Sequence, residues 1–438
     1  MTTAMLRRAA ALALLLSAGC RTAERAPAPE AGAIVAADAA WPGPRVEASA
    51  GAVVRAPRAM VVSADALASR VGEEVLRAGG NAVDAAVAVG FALAVVYPVA
   101  GNIGGGGFMV VRWADGRATA IDFREKAPAA AHPRMFLDES GRYSAERHHD
   151  SHLAVGVPGT VAGFALAHAR YGRLPWARLV EPAVRLAADG FPVSPALARS
   201  LAGVLPEMRR YPASVRAFSK DGEPYRAGEV WRQPELARTL ERIRRAGRDG
   251  FYRGETARLI AEEMRRGGGL ITEADLAAYQ AKERAPLRGS YRGYEIVTMP
   301  PPSSGGVALL EMLNILEGYD LRALGHNTAP YLHLLAEAMR RAYRDRARYL
   351  ADPDFAEVPV ARLTSKAYAA ELRATIDPAR ASRSAPADVA AASESEETTH
   401  YSVVDADGTA VAVTYTLEAG YGSKITVPGA GFLLNNEM

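Results

Sequence analysis

The chain has 438 residues, 49% of them hydrophobic and 23% charged, with a formal net charge of +3. This is a globular balance, with apolar material for one large core or two smaller ones. So mild a positive excess makes no case for a nucleic-acid partner, and one cysteine, Cys20, leaves no pair for a disulfide framework.

Arg7 and Arg8 precede the apolar run Ala9 to Leu16, which gives way to Ser17-Ala18-Gly19-Cys20. A basic start, a short apolar stretch and small residues predict a secretory signal over residues 1–20. The run is too short to span a bilayer. The small residues before Cys20 resemble the lipobox of bacterial lipoproteins, which implies acylation of Cys20 and a lipid anchor. Ser17 is not the commonest residue at its place, so ordinary signal cleavage stays open. Either route predicts an exported chain, periplasmic or anchored to a bacterial envelope. Residues 21–58, rich in Ala, Pro and Glu, read as a flexible tether.

The folded part is expected to begin near Ala59, with Met60-Val61-Val62 as a short strand. Ala64–Ala78 is predicted helical, closed by Gly79 and Gly80. Asn81, with Asp84 three residues on, caps a helix over Ala82–Val96 that is apolar all round and must therefore be buried. Phe108–Trp113 and Ala118–Phe123 form a hairpin about Ala114-Asp115-Gly116. Apolar spacing of three and four predicts helices over Thr160–Tyr171, Pro175–Ala188, Gln233–Ala246 and Gly254–Arg266. Thr272 with Asp275 opens another, and Tyr294–Met299 is a strand stopped by Pro300-Pro301-Pro302. Tyr331–Leu350 is predicted helical with Leu332, Leu335, Met339 and Tyr343 as its apolar stripe. Its arginines, Arg340, Arg341 and Arg348, alternate with Glu337 and Asp345 and read as a solvated face. Residues 377–397 lack periodicity and read as a flexible linker. Strand texture resumes at His400–Asp405 and Ala410–Leu417, about a turn at Asp405–Gly408. Helices in one block and hairpins in others predict a layered α/β architecture.

Three features invite a chemical reading and fail it. The glycines of Gly101–Gly107 follow a helix and precede a strand, the reverse of a dinucleotide loop, so they read as close backbone packing. His148, His149 and His152 have no further ligand cluster and read as an exposed loop, so no metal is expected. Ser303-Ser304-Gly305-Gly306 lacks the strand and elbow of a serine hydrolase and reads as a turn feeding the helix Val307–Leu316.

Glu397-Thr398-Thr399-His400-Tyr401-Ser402-Val403-Val404-Asp405 resembles the processing site of the γ-glutamyltransferases (γ-glutamyl transpeptidases). Further motifs resemble the family in the same order: Gly79 to Ala86, Gly104 to Phe108, Asp122-Phe123-Arg124-Glu125, Gly156 to Val161, Pro301 to Gly306, and Leu434-Asn435-Asn436-Glu437-Met438. The resemblance runs from about Ala59 to Met438. It implies an N-terminal-nucleophile hydrolase fold, four αββα layers with two sheets stacked between helices.

It also implies a precursor that cuts itself between Glu397 and Thr398 into a large chain (59–397) and a small chain (from 398) that remain together as a heterodimer. A threonine hydroxyl alone is a poor nucleophile, but the cut frees an α-amine with a pKa near roughly 8, which serves it as a base. By resemblance Thr416 bonds the nucleophile, Arg124 grips a substrate carboxylate with its guanidinium fork, and Glu437 binds the ammonium. Glu418 stands where many members have asparagine and where cephalosporin acylase relatives carry glutamate. The donors implied are γ-glutamyl compounds such as glutathione, and the acceptors water, amino acids or peptides, with no cofactor. The chain stops at Met438, where the family continues, so a C-terminally truncated product and an incomplete fold are expected. The rival readings are a glutaryl or cephalosporin acylase, and an inactive truncated envelope lipoprotein.

Overall fold

The apolar stretch Ala82–Val96 becomes a completely buried helix. The computed structural model describes residues 54–385 and 397–438. The predicted signal with Cys20, the tether up to residue 53 and linker residues 386–396 lie outside the described residues. Residues Arg58–Met438 form one compact unit, and residues 54–57 outside it are exposed. Strand β1 (Met60–Val62) and helix α1 (Ala66–Arg77) lead into α2 (Ala82–Val96), all fifteen residues of which are buried. As expected, Asn81 and Asp84 cap it reciprocally.

A six-stranded antiparallel sheet lies beside α2. Its members are β1, β2 (Gly106–Arg112), β3 (Ala118–Phe123), β4 (Lys282–Arg284), β5 (Thr399–Val404) and β6 (Ala410–Thr416). Their spatial order is β1-β5-β6-β2-β3-β4. The two strands after residue 398 thus sit inside the sheet, with β1 on one side and β2 on the other. Side chains alternate along them: Tyr401, Val403, Val413 and Tyr415 are buried, while His400 and Thr414 are exposed. The buried tyrosines pay for their hydroxyls by donating to the Ala86 and Gly90 carbonyls of α2, each at 2.9 Å. Helix α3 (Thr160–Tyr171) covers β3 from the same side.

The glycine run carries out its packing role. A Cβ on Gly104 would lie 2.0 Å from the Leu433 carbonyl oxygen, and one on Gly105 2.1 Å from that of Thr416. Only glycine admits backbone that close.

A second apolar cluster joins α4 (Gly305–Leu316), α5 (Ala329–Tyr349) and α6 (Lys366–Ala374). Here the expected stripe of α5 is half right: Leu335 and Tyr343 are half-buried, Leu335 against this cluster. Leu332 and Met339 are 47% and 41% exposed, and the buried face is Leu334, Glu337, Ala338, Arg341, Ala342 and Asp345. Counting apolar residues missed a face of alanines and mutually satisfied charges. Arg341 is buried rather than solvated, with Nη1 2.6 Å from Glu337. The described start of the linker is also tied down: Ser382 N–H donates to Glu337 Oε1 at 2.9 Å, and His333 Nε2 lies 2.8 Å from the Asp377 carbonyl.

Candidate active site

Strand pairing brings two threonines together. Tyr415 is in register with Thr399, so Thr416, the last residue of β6, lies across from Thr398. Thr398 is exposed and Thr416 buried, and both line one cavity of about 820 Å3. The Thr416 hydroxyl was expected on the nucleophile's oxygen. In the uncut chain it donates instead to the Glu397 carbonyl oxygen, at 2.9 Å, and accepts the Glu418 N–H at 3.0 Å. The carbonyl before Thr398 is therefore already polarised by a hydroxyl.

Thr416 is held by Asn102, which is 4% exposed and fully occupied. Its amide donates to the Thr416 and Ala100 carbonyls at 2.8 and 2.9 Å, and its oxygen accepts the Gly105 N–H and the Thr160 hydroxyl. Asn435 plays the same part for the other wall. It bridges the Gly104 and Gly156 backbones and accepts the Glu437 N–H. Asn102 lies in the glycine run and Asn435 in a quoted motif, but neither was given a role, because a buried amide bridging loops has no periodic signature.

Arg124, Glu418 and Glu437 line the same cavity as the threonines. Arg124 is pinned at its backbone, its N–H to Asp122 at 3.0 Å and its carbonyl to the Tyr279 hydroxyl at 2.7 Å. Its guanidinium pairs with Glu437 and lies 5.8 Å from the centre of the Phe108 ring. Burial opposes its charge, but Glu437 and Glu125 carry its pKa upward on balance. Glu437 is pushed up by burial, against the pull of Arg124 and with the push of Glu418, and one of its carboxylate oxygens has no partner.

Glu125, beside Arg124, was quoted in a motif but given no role. Its side chain is 2% exposed, neither carboxyl oxygen has a hydrogen-bond partner, and burial followed by the Glu437 charge holds its pKa well up. Burial thus favours the protonated form of this acid, which sits beside the arginine. The cavity wall thus carries two guanidinium groups, Arg124 and Arg346, and three carboxyls, Asp352, Glu418 and Glu437, a setting suited to a zwitterion.

The decoys resolve as follows. Ser303 and Ser304 do feed a helix, α4, yet they also line the cavity. His148 and His149 end a short helix, Ala145–His149, without a buried residue. His152 departs from the exposed-loop reading: it is 8% exposed and its Nε2 lies 2.9 Å from Glu263. The cause is the close approach of Gly267 and Gly269, where any Cβ would strike its ring or backbone.

A threonine at the head of an inner strand, preceded by a carbonyl held for attack, in a sheet backed by helices, defines an N-terminal-nucleophile hydrolase. Residues 68–438 match the family model described as Gamma-glutamyltranspeptidase. The glutathione hydrolase proenzyme of Escherichia coli K12 is 49% identical over 98% of this chain and 73% of its own. The crystal structure of Helicobacter pylori gamma-glutamyltranspeptidase superposes with a TM-score of 0.74 at 45% identity, over 77% of this chain and 96% of that one. That of a cephalosporin acylase from Bacillus halodurans gives 0.77 at 31% identity, over 90% and 72%. The chain belongs to the gamma-glutamyltranspeptidase family.

Proposed function

We propose that this chain is a glutathione hydrolase proenzyme that cuts itself between Glu397 and Thr398. Thr398 then takes the γ-glutamyl group of glutathione-type donors as an ester and yields it to water or to an amino-acid or peptide amine. The observation that carries this reading is the 2.9 Å hydrogen bond from Thr416 to the Glu397 carbonyl, at the rim of the cavity that also holds Arg124, Glu418 and Glu437. In maturation the Thr398 hydroxyl attacks that carbonyl carbon, its proton passes to the departing Thr398 nitrogen, and water hydrolyses the resulting ester. The freed amine then serves the same hydroxyl as base. Because β5 and β6 lie between β1 and β2, the two products stay joined through the sheet.

Arg124 is the group suited to a substrate α-carboxylate, and Glu437 and Glu418 to its ammonium. The substrate carboxylate competes with Glu437 for the guanidinium while the ammonium compensates the displaced acid. The Glu418 substitution and the likeness to a cephalosporin acylase favour a second reading, an acylase for amides without the ammonium. Export and anchoring through Cys20 belong to the proposal and rest on the sequence of residues 1–20.

The test is Thr398→Ala: intact mass should show two chains for the native sequence and one for the variant. Two chains in the variant defeat the assignment. Faster release from a glutaryl than from a γ-glutamyl anilide selects the acylase.

A further inference from the structure

The residue before the cut is held by more than its carbonyl. The Glu397 Cγ sits 3.1 Å from where a Gly420 Cβ would be, with Cδ at 3.7 Å, and that same Cβ position is 3.5 Å from Val99 Cγ2. Tyr421 is the next residue of the same loop, and the Glu397 charge reaches both its phenol and that of Tyr97. Both are held protonated, chiefly by burial and further by Glu397, Tyr421 with a pKa of about 12.

The loop that supplies Gly420 and Tyr421 is built at a cost. Within seven residues Glu418, Tyr421 and Lys424 all have positive φ, at 81°, 62° and 61°. Non-glycine residues keep that conformation only where the surroundings impose it. Here Tyr421 N–H donates to the Val99 carbonyl at 2.8 Å, Ala419 N–H to Asn436 at 3.1 Å, Ser423 N–H to the Leu434 carbonyl at 3.0 Å, and the Tyr421 hydroxyl meets Ser200 at 2.7 Å. The loop has two faces. Glu418 is part of the cavity wall, whereas Gly420, Tyr421, Tyr97 and Val99 are not.

We propose that Gly420, in the loop that Tyr421 ties to Val99, forms a cradle for the Glu397 side chain, which registers the scissile peptide for self-cleavage and is vacated once the cut is made. The inference rests on cleavage before Thr398, and it adds a positioning site serving maturation alone. With the carbonyl fixed by Thr416 and the side chain by the cradle, the peptide plane has two anchors and a defined approach for the Thr398 oxygen. Shifts of a fraction of an ångström in such geometry cost about tenfold in rate.

Gly420 is a clean probe. Its φ is not in the positive region, and the contacts of an added methyl are with Glu397 and Val99. Gly420→Ala, Glu397→Ala and the double variant of the full chain form a cycle, read as the fraction split at residue 398 against time by intact mass. Gly420→Ala should slow the cut about tenfold when residue 397 is Glu and less than about twofold when it is Ala. Glu397→Ala alone, a change at an exposed position, should slow it about fivefold, a reading independent of how Gly420→Ala folds. Equal slowing by Gly420→Ala in both backgrounds, or no effect of Glu397→Ala, overturns the cradle while leaving self-cleavage intact. A native chain that never splits at that bond overturns both.

Discussion

Glu311 on α4 should make the protein more stable when it is replaced by its amide. It is 1% exposed in the second apolar cluster, one carboxyl oxygen has no partner, and it shares a hydrogen bond with Asp345 on α5. Asp345, also 1% exposed, already receives the Tyr368 hydroxyl of α6 at 2.5 Å and the Arg344 Nε at 3.0 Å. Two buried acids thus meet one partly exposed guanidinium, and the acid with fewer donors keeps its proton. Burial, then the Asp345 charge, against Arg344, push Glu311 up to about 8 from an ordinary 4.5.

The sign follows from linkage. The folded pKa lies above the unfolded one, so the contribution of Glu311 is fully present below pH 4.5 and is lost as pH rises through 8. At pH 7 folding must take up a proton across about 2.5 pH units, which at about 1.4 kcal/mol each costs about 3 kcal/mol. Glu311→Gln keeps the shape and donates an N–H to Asp345 at every pH, removing that cost. With an unfolding entropy of about 2.1 cal/mol/K per residue and roughly 370 described residues, Tm should rise by about 4 °C at pH 7 and hardly at all at pH 4.5. Calorimetric melts at the two pH values decide. An equal gain at both, or a loss at both, would show that Glu311 is not held as the acid.

Thr416→Val removes the donor to the Glu397 carbonyl at nearly constant shape. Self-cleavage should slow about 100- to 1,000-fold, the usual effect of one oxyanion donor, while Thr416→Ser stays within about tenfold of the native rate; gel time courses that match the native chain in Thr416→Val would refute this. Arg341→Met leaves Glu337 buried with Arg340 and Ser382 nearby and should cost about 3 kcal/mol in denaturant unfolding. Replacing Glu337 by Met as well should recover much of that loss.

What could be foreseen depended on how local its cause is. The capped helix Ala82–Val96 and the helix Thr160–Tyr171 fall where periodicity and caps put them, because both signals are written in adjacent residues. The hairpin after Thr398 was legible for the same reason. The exposed Leu332 and Met339 were not, since which face of α5 is buried depends on α4 and α6 as neighbours and on an ion pair that hides Arg341. At the site, residue types and motif resemblance picked out Thr398, Thr416, Arg124, Glu418 and Glu437, and one cavity gathers them. The partner of the Thr416 hydroxyl, the burial of Glu125 and the contact of Glu397 with Gly420 depend on separations in space, and no spacing along the chain encodes them.

Maturation and turnover present two different carbonyls to one hydroxyl. In the precursor Thr416 faces the Glu397 carbonyl; after the cut that position is open to an acyl group attached to Thr398. Loss of the Thr416 donor should therefore damage both reactions, and a poorly matured Thr416 variant cannot report on turnover. The substituents of the two carbonyls diverge: Glu397 leans on Gly420, outside the cavity, whereas a bound zwitterion would face Arg124, Glu418 and Glu437 within it. A defect shared by the two reactions thus implicates the carbonyl-binding group, and a defect in cleavage alone implicates the loop face that turns away from the cavity. The strained segment from Glu418 to Lys424 lies between these two surfaces.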